Sequence, residues 1–121
     1  MMFLYVRVGN RDVALRLEDV EEVVKKKTLT PIPLSPPGFE GVMLLRGSPV
    51  PVYSLSSIMG EEKGEGKIVV VLKEKRGLLV DEVLGIKKGE PTPLSGSELA
   101  SGTLGDTVIL DIEKIKRRIK W

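Results

Sequence analysis

The stretch Gly41–Leu55, with the sequence GVMLLRGSPVPVYSL, predicts a β-hairpin in the first half of the chain. Two largely apolar runs, Gly41–Leu45 and Val50–Tyr53, flank the short turn sequence Arg46-Gly47-Ser48. Apolar runs of this length on either side of a glycine-containing turn are typical of paired antiparallel strands. Gly41 itself is interpreted as a position where the backbone needs clearance, not as a chemical group. The chain around the hairpin is therefore expected to be built from strands.

A pattern in the first half of the chain recurs, in the same order, in the second half. PIPLS at Pro31–Ser35 is answered by PTPLS at Pro91–Ser95, and each is followed by a glycine and then a turn. Apolar residues at steps of three also recur on both sides of these segments. The matching triplets are Leu17, Val20 and Val23 with Val80, Val83 and Ile86, and Val52, Leu55 and Ile58 with Ile109, Ile112 and Ile115. So many matches in one order indicate a duplicated unit.

Each copy of the repeat is predicted to form β structure. Ile68–Leu72 is wholly apolar, which predicts a strand covered on both faces. Asp111 can cap the one convincing helix, at Ile112–Lys120. We therefore expect a single all-β domain of two five-stranded barrels, at about 1–60 and 67–121, with Gly60–Gly66 as the crossover and a short C-terminal helix. Barrels this small would be marginal alone, so a shared core is expected.

The composition argues against most enzyme chemistry. The 121 residues include no Cys and no His, which removes thiol nucleophiles, disulfides, imidazole bases and the usual zinc ligands. The neighbouring acids Asp81 and Glu82 are expected to point to opposite faces of a strand, so they do not suggest a catalytic pair. We expect no enzyme activity, no catalytic residue, no metal site and no cofactor.

Other features of the composition bear on the location and source of the protein. The net charge is only +2, and purely apolar runs such as Ile68–Leu72 are far too short to span a membrane. Arg7 interrupts the apolar N-terminus, which lacks the features of a signal peptide. A soluble cytoplasmic protein without membrane insertion is expected. Gln is absent and Asn10 is the only Asn, while Lys and Glu are abundant, which suggests a thermophilic source.

The hairpin sequence closely resembles the signature of the CheW family. The matching positions are Gly41, the turn Leu45-Arg46-Gly47, then Pro51-Val52 and Leu55. Three further segments resemble the family in the same order, namely Val20–Val23, Thr30–Pro33 and Gly77–Val83. The resemblance covers about 3–115 and implies two SH3-like β-barrels. Leu44 departs from it, because the family commonly has a small polar residue there, and the loops of the second half are short.

The resemblance implies a chemotaxis adaptor without catalytic activity. Such an adaptor bridges the cytoplasmic tips of chemoreceptors and the regulatory domain of the chemotaxis histidine kinase, which shares the fold. The resemblance also implies a receptor-binding groove between the barrels and a kinase contact in the second half. The candidate groove residues are Val20, Glu22, Gly41, Arg46, Ile68 and Val69, and the candidate kinase-binding residues are Gly77 and Leu78.

Several of these candidates also have a purely structural interpretation. Arg46 is favoured to form a local ion pair with Glu22 that fixes the hairpin, although it could at the same time offer its guanidinium to a receptor carboxylate. Ile68 and Val69 open the apolar run and are expected to be buried at alternate positions at least. Gly77 is expected to serve the turn that precedes it.

A second functional hypothesis rests on the C-terminal helix. Lys114–Trp121 contains five basic residues, which could bind nucleic acid in an SH3-like barrel protein. The alternative is a solvated helix face whose cations suit the C-terminal end of the helix dipole. The aromatic residues that would stack on bases are few and scattered, which counts against nucleic-acid binding. They are Phe3, Tyr5, Phe39, Tyr53 and Trp121.

Overall fold

The computed structural model describes residues 1–120, so Trp121, one of the scattered aromatics, lies outside the described chain. The strands are β1 (Met2–Val8), β2 (Arg11–Arg16), β3 (Val20–Lys25), β4 (Phe39–Leu45), β5 (Ser48–Ser54), β6 (Ile68–Leu72), β7 (Gly77–Val80), β8 (Glu82–Lys88), β9 (Thr92–Pro93), β10 (Ala100–Leu104) and β11 (Thr107–Leu110). The helices are α1 (Leu55–Met59) and α2 (Ile112–Ile119), and Leu17–Asp19 forms one 3-10 turn. The predicted all-β class is confirmed.

These strands form two sheets within residues 1–120. The first sheet has the strand order β8-β1-β2-β11-β10-β9, and the second has the order β3-β6-β7-β5-β4. Five strands were predicted for each barrel, and the second sheet has five. The first has six because the two-residue strand β9, in the PTPLS segment, pairs with β10 at the edge of the sheet.

Each sheet takes strands from both halves of the chain, which corrects the predicted barrel boundaries of 1–60 and 67–121. The hairpin β1–β2 lies in the first sheet beside strands β8–β11, while β6–β7 lies in the second beside β3–β5. Two parallel pairs make these joins, β2 with β11 and β5 with β7. Each of these pairs gives a strand of one half its hydrogen-bond partners in the other half, so neither half forms a barrel by itself.

The repeat and the sheet orders agree once this exchange is included. If β6, β7, β8, β10 and β11 are the counterparts of β1 to β5, both sheets run third, first, second, fifth and fourth strand. In each sheet the first and second strands come from one repeat and the others from its partner. The duplicated units have therefore exchanged their leading hairpins.

Successive side chains of the exchanged hairpins point alternately into a core shared by both sheets and into a separate cluster of their own sheet. In β1, Leu4 and Val6 belong to a cluster shared by both sheets, whereas Phe3 packs with Ala14 and Ile109 in a smaller cluster of the first sheet. In β6, Val70 and Leu72 enter the shared cluster, whereas Val69 and Val71 enter a cluster of the second sheet. The expected shared core is confirmed, and so is the expectation that Ile68–Leu72 is covered on both faces.

The sequence predicted helix α2 but not helix α1. Asp111 caps α2, since its Oδ1 accepts hydrogen bonds from the backbone N–H groups of Glu113 (2.9 Å) and Lys114 (3.3 Å). The helix ends at Ile119, one position before the predicted end. The expectation of a single helix was wrong, because α1 also forms. The Ser54 hydroxyl accepts from the Ser57 backbone N–H, and a left-handed Gly60 ends this short turn. Neither helix has the length and apolarity to cross a bilayer.

The hairpin β4–β5 forms as predicted, and Gly41 provides the expected clearance. The backbone of Gly41 has φ 133°, and a Cβ there would lie 2.8 Å from the carbonyl oxygen of Thr30. Thr30 approaches this closely because it forms two backbone hydrogen bonds with Val42, each 2.9 Å long. A side chain would therefore separate β4 from the segment that covers its edge.

We predict that Gly41→Ala lowers the free energy of unfolding by about 2 kcal/mol, because it adds a backbone clash to an unfavourable φ. Gly85→Ala is the matched control, since Gly85 has a similar φ of 139° but nothing within 4 Å of a built Cβ. It should lose only about 1 kcal/mol. Urea denaturation of both variants measures the difference, and equal losses would contradict the role of Thr30.

Candidate functional site

A cavity of about 630 Å³ lies where the two sheets meet. Its walls include Arg7 from β1, Ile68 from β6 and Val83 from β8, so both sheets contribute to it. Ile68 and Val83 are half-buried and pack against the shared core. The cavity therefore has an apolar floor that continues the protein interior, and charged groups around its rim.

Apolar residues on the two edge strands extend this floor. On β3, Val23 lies opposite Val70, and on β8, Ile86 lies opposite Leu4. Val70 and Leu4 both belong to the shared core, and directly opposed residues of antiparallel strands point to the same face. Val23 and Ile86 therefore point towards the junction of the sheets, yet they remain 40% and 53% exposed. We call Val20, Val23, Ile68, Val83 and Ile86 the inter-sheet groove.

Irregular pairing explains the spacing of three between the groove residues of each edge strand. In a regular strand, residues three apart point to opposite faces. The pairing of β3 with β6 shifts between Val20 and Glu22, and that of β8 with β1 shifts between Val83 and Gly85. One residue of the edge strand is left unpaired at each shift. Val20 and Val23 therefore point to the same face of β3, and Val83 and Ile86 point to the same face of β8. The same device therefore appears in both repeats.

Four of the six predicted receptor-binding residues fall into two groups, one in the groove and one buried. Val20 and Ile68 lie in the inter-sheet groove and pack against the shared core. Val69 is fully buried in the core of the second sheet, and Gly41 is buried beside Thr30. These two support the fold from inside and have no side chain at the surface.

Glu22 and Arg46 form the ion pair that the sequence suggested. The Arg46 guanidinium donates from Nη1 to Oε1 of Glu22 at 3.0 Å and from Nη2 to Oε2 at 2.6 Å. Glu22 lies on β3 and Arg46 in the β4–β5 turn, which are at opposite ends of the strand order of the second sheet. The pair therefore closes this sheet into a barrel. Glu22 lies opposite the buried Val71, so it faces away from Val23 and the inter-sheet groove.

The ion pair changes the titration of both partners. The hydrogen bond from Arg46 lowers the pKa of Glu22 from its ordinary value, and the same bond raises the pKa of the Arg46 guanidinium. A carboxyl whose pKa falls on folding stabilises the folded state above its unfolded pKa, and this contribution is lost as the pH falls through the folded pKa. The closure of the barrel is therefore weakened in acid.

The predicted kinase-binding residues are both buried. Leu78 lies in the shared core and is fully buried. A Cβ on Gly77 would lie 2.6 Å from Cγ1 of Val69, so Gly77 provides room inside the second barrel. Its expected role in the turn was wrong, because Lys75, with φ 64°, supplies the left-handed residue there. A contact of Gly77 or Leu78 with a kinase stays a prediction.

The basic residues of α2 are largely engaged within the protein. The Lys114 ammonium donates to the carbonyl oxygens of Ser97 (3.0 Å) and Ala100 (2.7 Å). Lys116 pairs with Glu74 at 2.7 Å, and Arg118 pairs with Glu98. These contacts favour the interpretation of this helix as a structural element with a solvated face.

Sequence reasoning missed Val23, Val83 and Ile86 as groove residues, although it had found all three in the repeat. The signal that could have identified them was the equivalence of the two edge strands. Val20 was a groove candidate, and Val83 is its counterpart in the second half. Applying the repeat to the candidate site would have extended the groove to β8.

The fold and this groove define a class of double β-barrel proteins that carry an apolar groove between their sheets. A family model described as a CheW-like domain matches residues 2–119. The chain belongs to the CheW family. This confirms the resemblance that rested on the hairpin signature at Gly41–Leu55.

Individual relatives agree with this assignment. The chain is 36% identical to the chemotaxis protein CheW of Thermotoga maritima over 88 residues, which are 69% of this chain and 58% of that protein. It is 32% identical to protein FrzA of Myxococcus xanthus over 116 residues, 85% of this chain and 71% of that protein. The crystal structure of the scaffolding protein TtCheW from Thermoanaerobacter tengcongensis matches with a TM-score of 0.75 at 26% identity, covering 90% of this chain and 86% of that one. The expected SH3-like barrels are thereby confirmed.

We predict that Glu22→Gln and Arg46→Gln each destabilise the protein at pH 7, and that the double variant loses less than the sum of the two. The reason is that each single variant leaves one partner without its counter-charge. The coupling should shrink as the pH falls through the lowered pKa of Glu22, because the carboxylate then becomes protonated and loses its charge. Urea denaturation at pH 7 and at pH 3 measures it. A coupling that is equal at both pH values would show that the charge of Glu22 plays no part in closing the barrel.

Proposed function

We propose that this chain is a chemotaxis adaptor that joins the cytoplasmic tip of a chemoreceptor to the regulatory domain of the chemotaxis histidine kinase. Membership of the CheW family supports the proposal, as do relatives named as a chemotaxis protein and as a scaffolding protein. Such an adaptor makes and breaks no covalent bonds. It works in the cytoplasm, where receptor tips and the kinase meet, and needs no cofactor.

The observation that carries the proposal is the exposure of apolar side chains in the inter-sheet groove. Val23 and Ile86 stand on two edge strands, and Ile68 and Val83 form the floor between them. An amphipathic helix binds such a groove by placing its apolar side chains against the floor and its polar ones at the rim. A receptor tip made of helices offers that kind of surface.

The groove is built on a rigid frame. Its floor belongs to the shared core, and its walls are strands that pair with β1 and β6 in the centre of the molecule. A site held this way loses little conformational entropy when a partner binds. Individually weak contacts suffice in an array, because joining several of them can raise the effective affinity about a hundredfold or more.

The kinase contact is proposed for the outer face of the hairpin β4–β5. Leu44 points away from the barrel interior that Met43 and Leu45 fill, and it is 63% exposed. It lies opposite Pro49, with Val42 opposite Pro51 beside it. This apolar face stands on rigid strands of the barrel that contains Gly77 and Leu78. It could receive a domain of the same fold without disturbing the inter-sheet groove.

The nucleic-acid alternative has no support from the comparisons, each of which points to the CheW family. The contacts of Lys114, Lys116 and Arg118 with carbonyl and carboxylate oxygens also leave fewer cations for phosphate groups. The adaptor function is therefore preferred.

We predict that Val23→Glu and Ile86→Glu each weaken binding of a receptor-tip fragment by about tenfold or more, because each places a charge against an apolar helix face. Isothermal titration calorimetry with the purified fragment measures the dissociation constants. Leu94→Glu is the matched control, because Leu94 has the same 40% exposure as Val23 but lies after β9, away from the groove. Equal effects of all three variants, or no binding by the unaltered protein, would overturn the groove assignment.

A separate variant tests the kinase surface. We predict that Leu44→Glu weakens binding of the kinase regulatory domain by about tenfold while receptor-tip binding stays within about twofold, because the two surfaces are separate. Leu34→Glu serves as the control, since Leu34 is a fully exposed leucine in the proline-rich segment before β4. Surface plasmon resonance with each partner immobilised in turn gives both affinities. A loss of tip binding, or an unchanged kinase affinity, would exclude this face as the kinase site.

A further inference from the structure

The carboxylate of Asp81 joins three separate segments of the chain. One oxygen, Oδ2, accepts a hydrogen bond from the backbone N–H of Gly9 at 2.6 Å, in the turn between β1 and β2. The other, Oδ1, accepts from the backbone N–H of Gly66 at 2.7 Å, at the end of the crossover. The backbone N–H of Asp81 donates to the carbonyl oxygen of Arg7 at 3.0 Å. Asp81 itself lies between β7 and β8.

Glycines make room for this arrangement. A Cβ on Gly64 would lie 2.1 Å from Oδ2 of Asp81, which no side chain could occupy unless the carboxylate moved. A Cβ on Gly9 would lie 2.6 Å from the carbonyl oxygen of Glu62, so the β1–β2 turn also touches the crossover directly. The glycines of the crossover therefore leave the space in which the Asp81 carboxylate accepts from the Gly66 backbone N–H.

The same carboxylate lies at the inter-sheet groove. Asp81 lines the cavity together with Ile68 and Val83. Ile68 follows Gly66 by two positions, and Val83 follows Asp81 by two positions. The bond between Asp81 and Gly66 therefore fixes where the first residue of β6 stands relative to the start of β8. These are the strands that supply the groove floor.

We infer that Asp81 is a positioning residue for the inter-sheet groove, in which it holds Ile68 and Val83 at the separation that a receptor helix requires. The inference rests on the proposed function only for the identity of the ligand. The anchoring of the crossover by the carboxylate is a property of the protein alone. The function is thus divided between apolar residues that touch the partner and one acid that sets their spacing.

Asp81→Asn tests the inference with almost no change in volume. The amide side chain has one oxygen, so it cannot accept from both Gly9 and Gly66 as the carboxylate does. We expect amide hydrogen exchange at Gly9 or Gly66 to rise by about tenfold or more, since a lost charge-assisted bond exposes the amide. Receptor-tip binding should weaken by about fivefold to tenfold, and kinase regulatory-domain binding should stay within about twofold. NMR exchange and calorimetry on the full chain provide these values.

Gly64→Ala is a second, independent variant, because its methyl group displaces the carboxylate without removing it. It should reproduce the Asp81→Asn pattern. Asp106→Asn is the matched control, as Asp106 is an exposed acid in the turn between β10 and β11. It should leave the Gly9 and Gly66 amides and both affinities unchanged. Equal weakening of tip and kinase binding by Asp81→Asn would indicate a general structural role and overturn the inference.

Two further outcomes separate this inference from the proposed function. Faster exchange at Gly9 or Gly66 with unchanged tip affinity would show that the anchor does not position the groove. If the unaltered protein binds no receptor tip, the proposed function fails, and the methyl chemical shifts of Ile68 and Val83 decide the inference. Shifts of both methyl groups in Asp81→Asn, absent in Asp106→Asn, would support positioning by Asp81, and unchanged shifts would refute it.

Discussion

The parallel pairing of β2 with β11 and of β5 with β7 is the constraint on which the rest of the molecule depends. Each pair joins a leading hairpin from one repeat to the trailing strands of the other. A hairpin placed this way has the shared core on one face and the apolar cluster of its own sheet on the other, so its central residues are apolar on both faces. This explains why β6 is an uninterrupted apolar run, and why Phe3 and Leu4, adjacent in β1, are both buried.

The same exchange determines where the inter-sheet groove lies. Because β1 and β6 are central, their outer partners β8 and β3 become the edge strands of the two sheets. An edge strand at a shared core cannot bury its whole inner face, since no further strand covers it. The apolar residues there stay partly exposed, and the irregular pairing in each edge strand aligns them towards the groove. The groove is therefore a consequence of how the duplicated units interlock.

The parts of this structure that depend on local chemistry could be predicted from the sequence. The Arg46-Gly47 turn, the Asp111 cap and the pairing of Glu22 with Arg46 each follow from side-chain types at short range or from one complementary pair of charges. The exchange of hairpins could not be predicted, because the segments of β2 and β7 that form the parallel pairs, 13–15 and 77–79, are both apolar and either could pair with either trailing strand. The side of β3 on which each residue lies could not be predicted for a related reason. The irregular pairing at Val20–Glu22 places Glu22 opposite Val71 and leaves Val23 on the groove side, while a receptor contact of Glu22 stays a prediction.

The two faces of β3 thus connect the stability of the second barrel to the shape of the groove. Arg46 adopts a left-handed conformation, which costs a non-glycine residue about 1 kcal/mol, and its two bonds to Glu22 offset that cost. The bonds fix β3 against the β4–β5 turn from one side. On the other side the same strand presents Val23 to the groove. Glu22 and Arg46 therefore support the strand that carries Val23, although neither of them faces the groove floor. The contact that closes the second barrel thus also holds one wall of the inter-sheet groove in place.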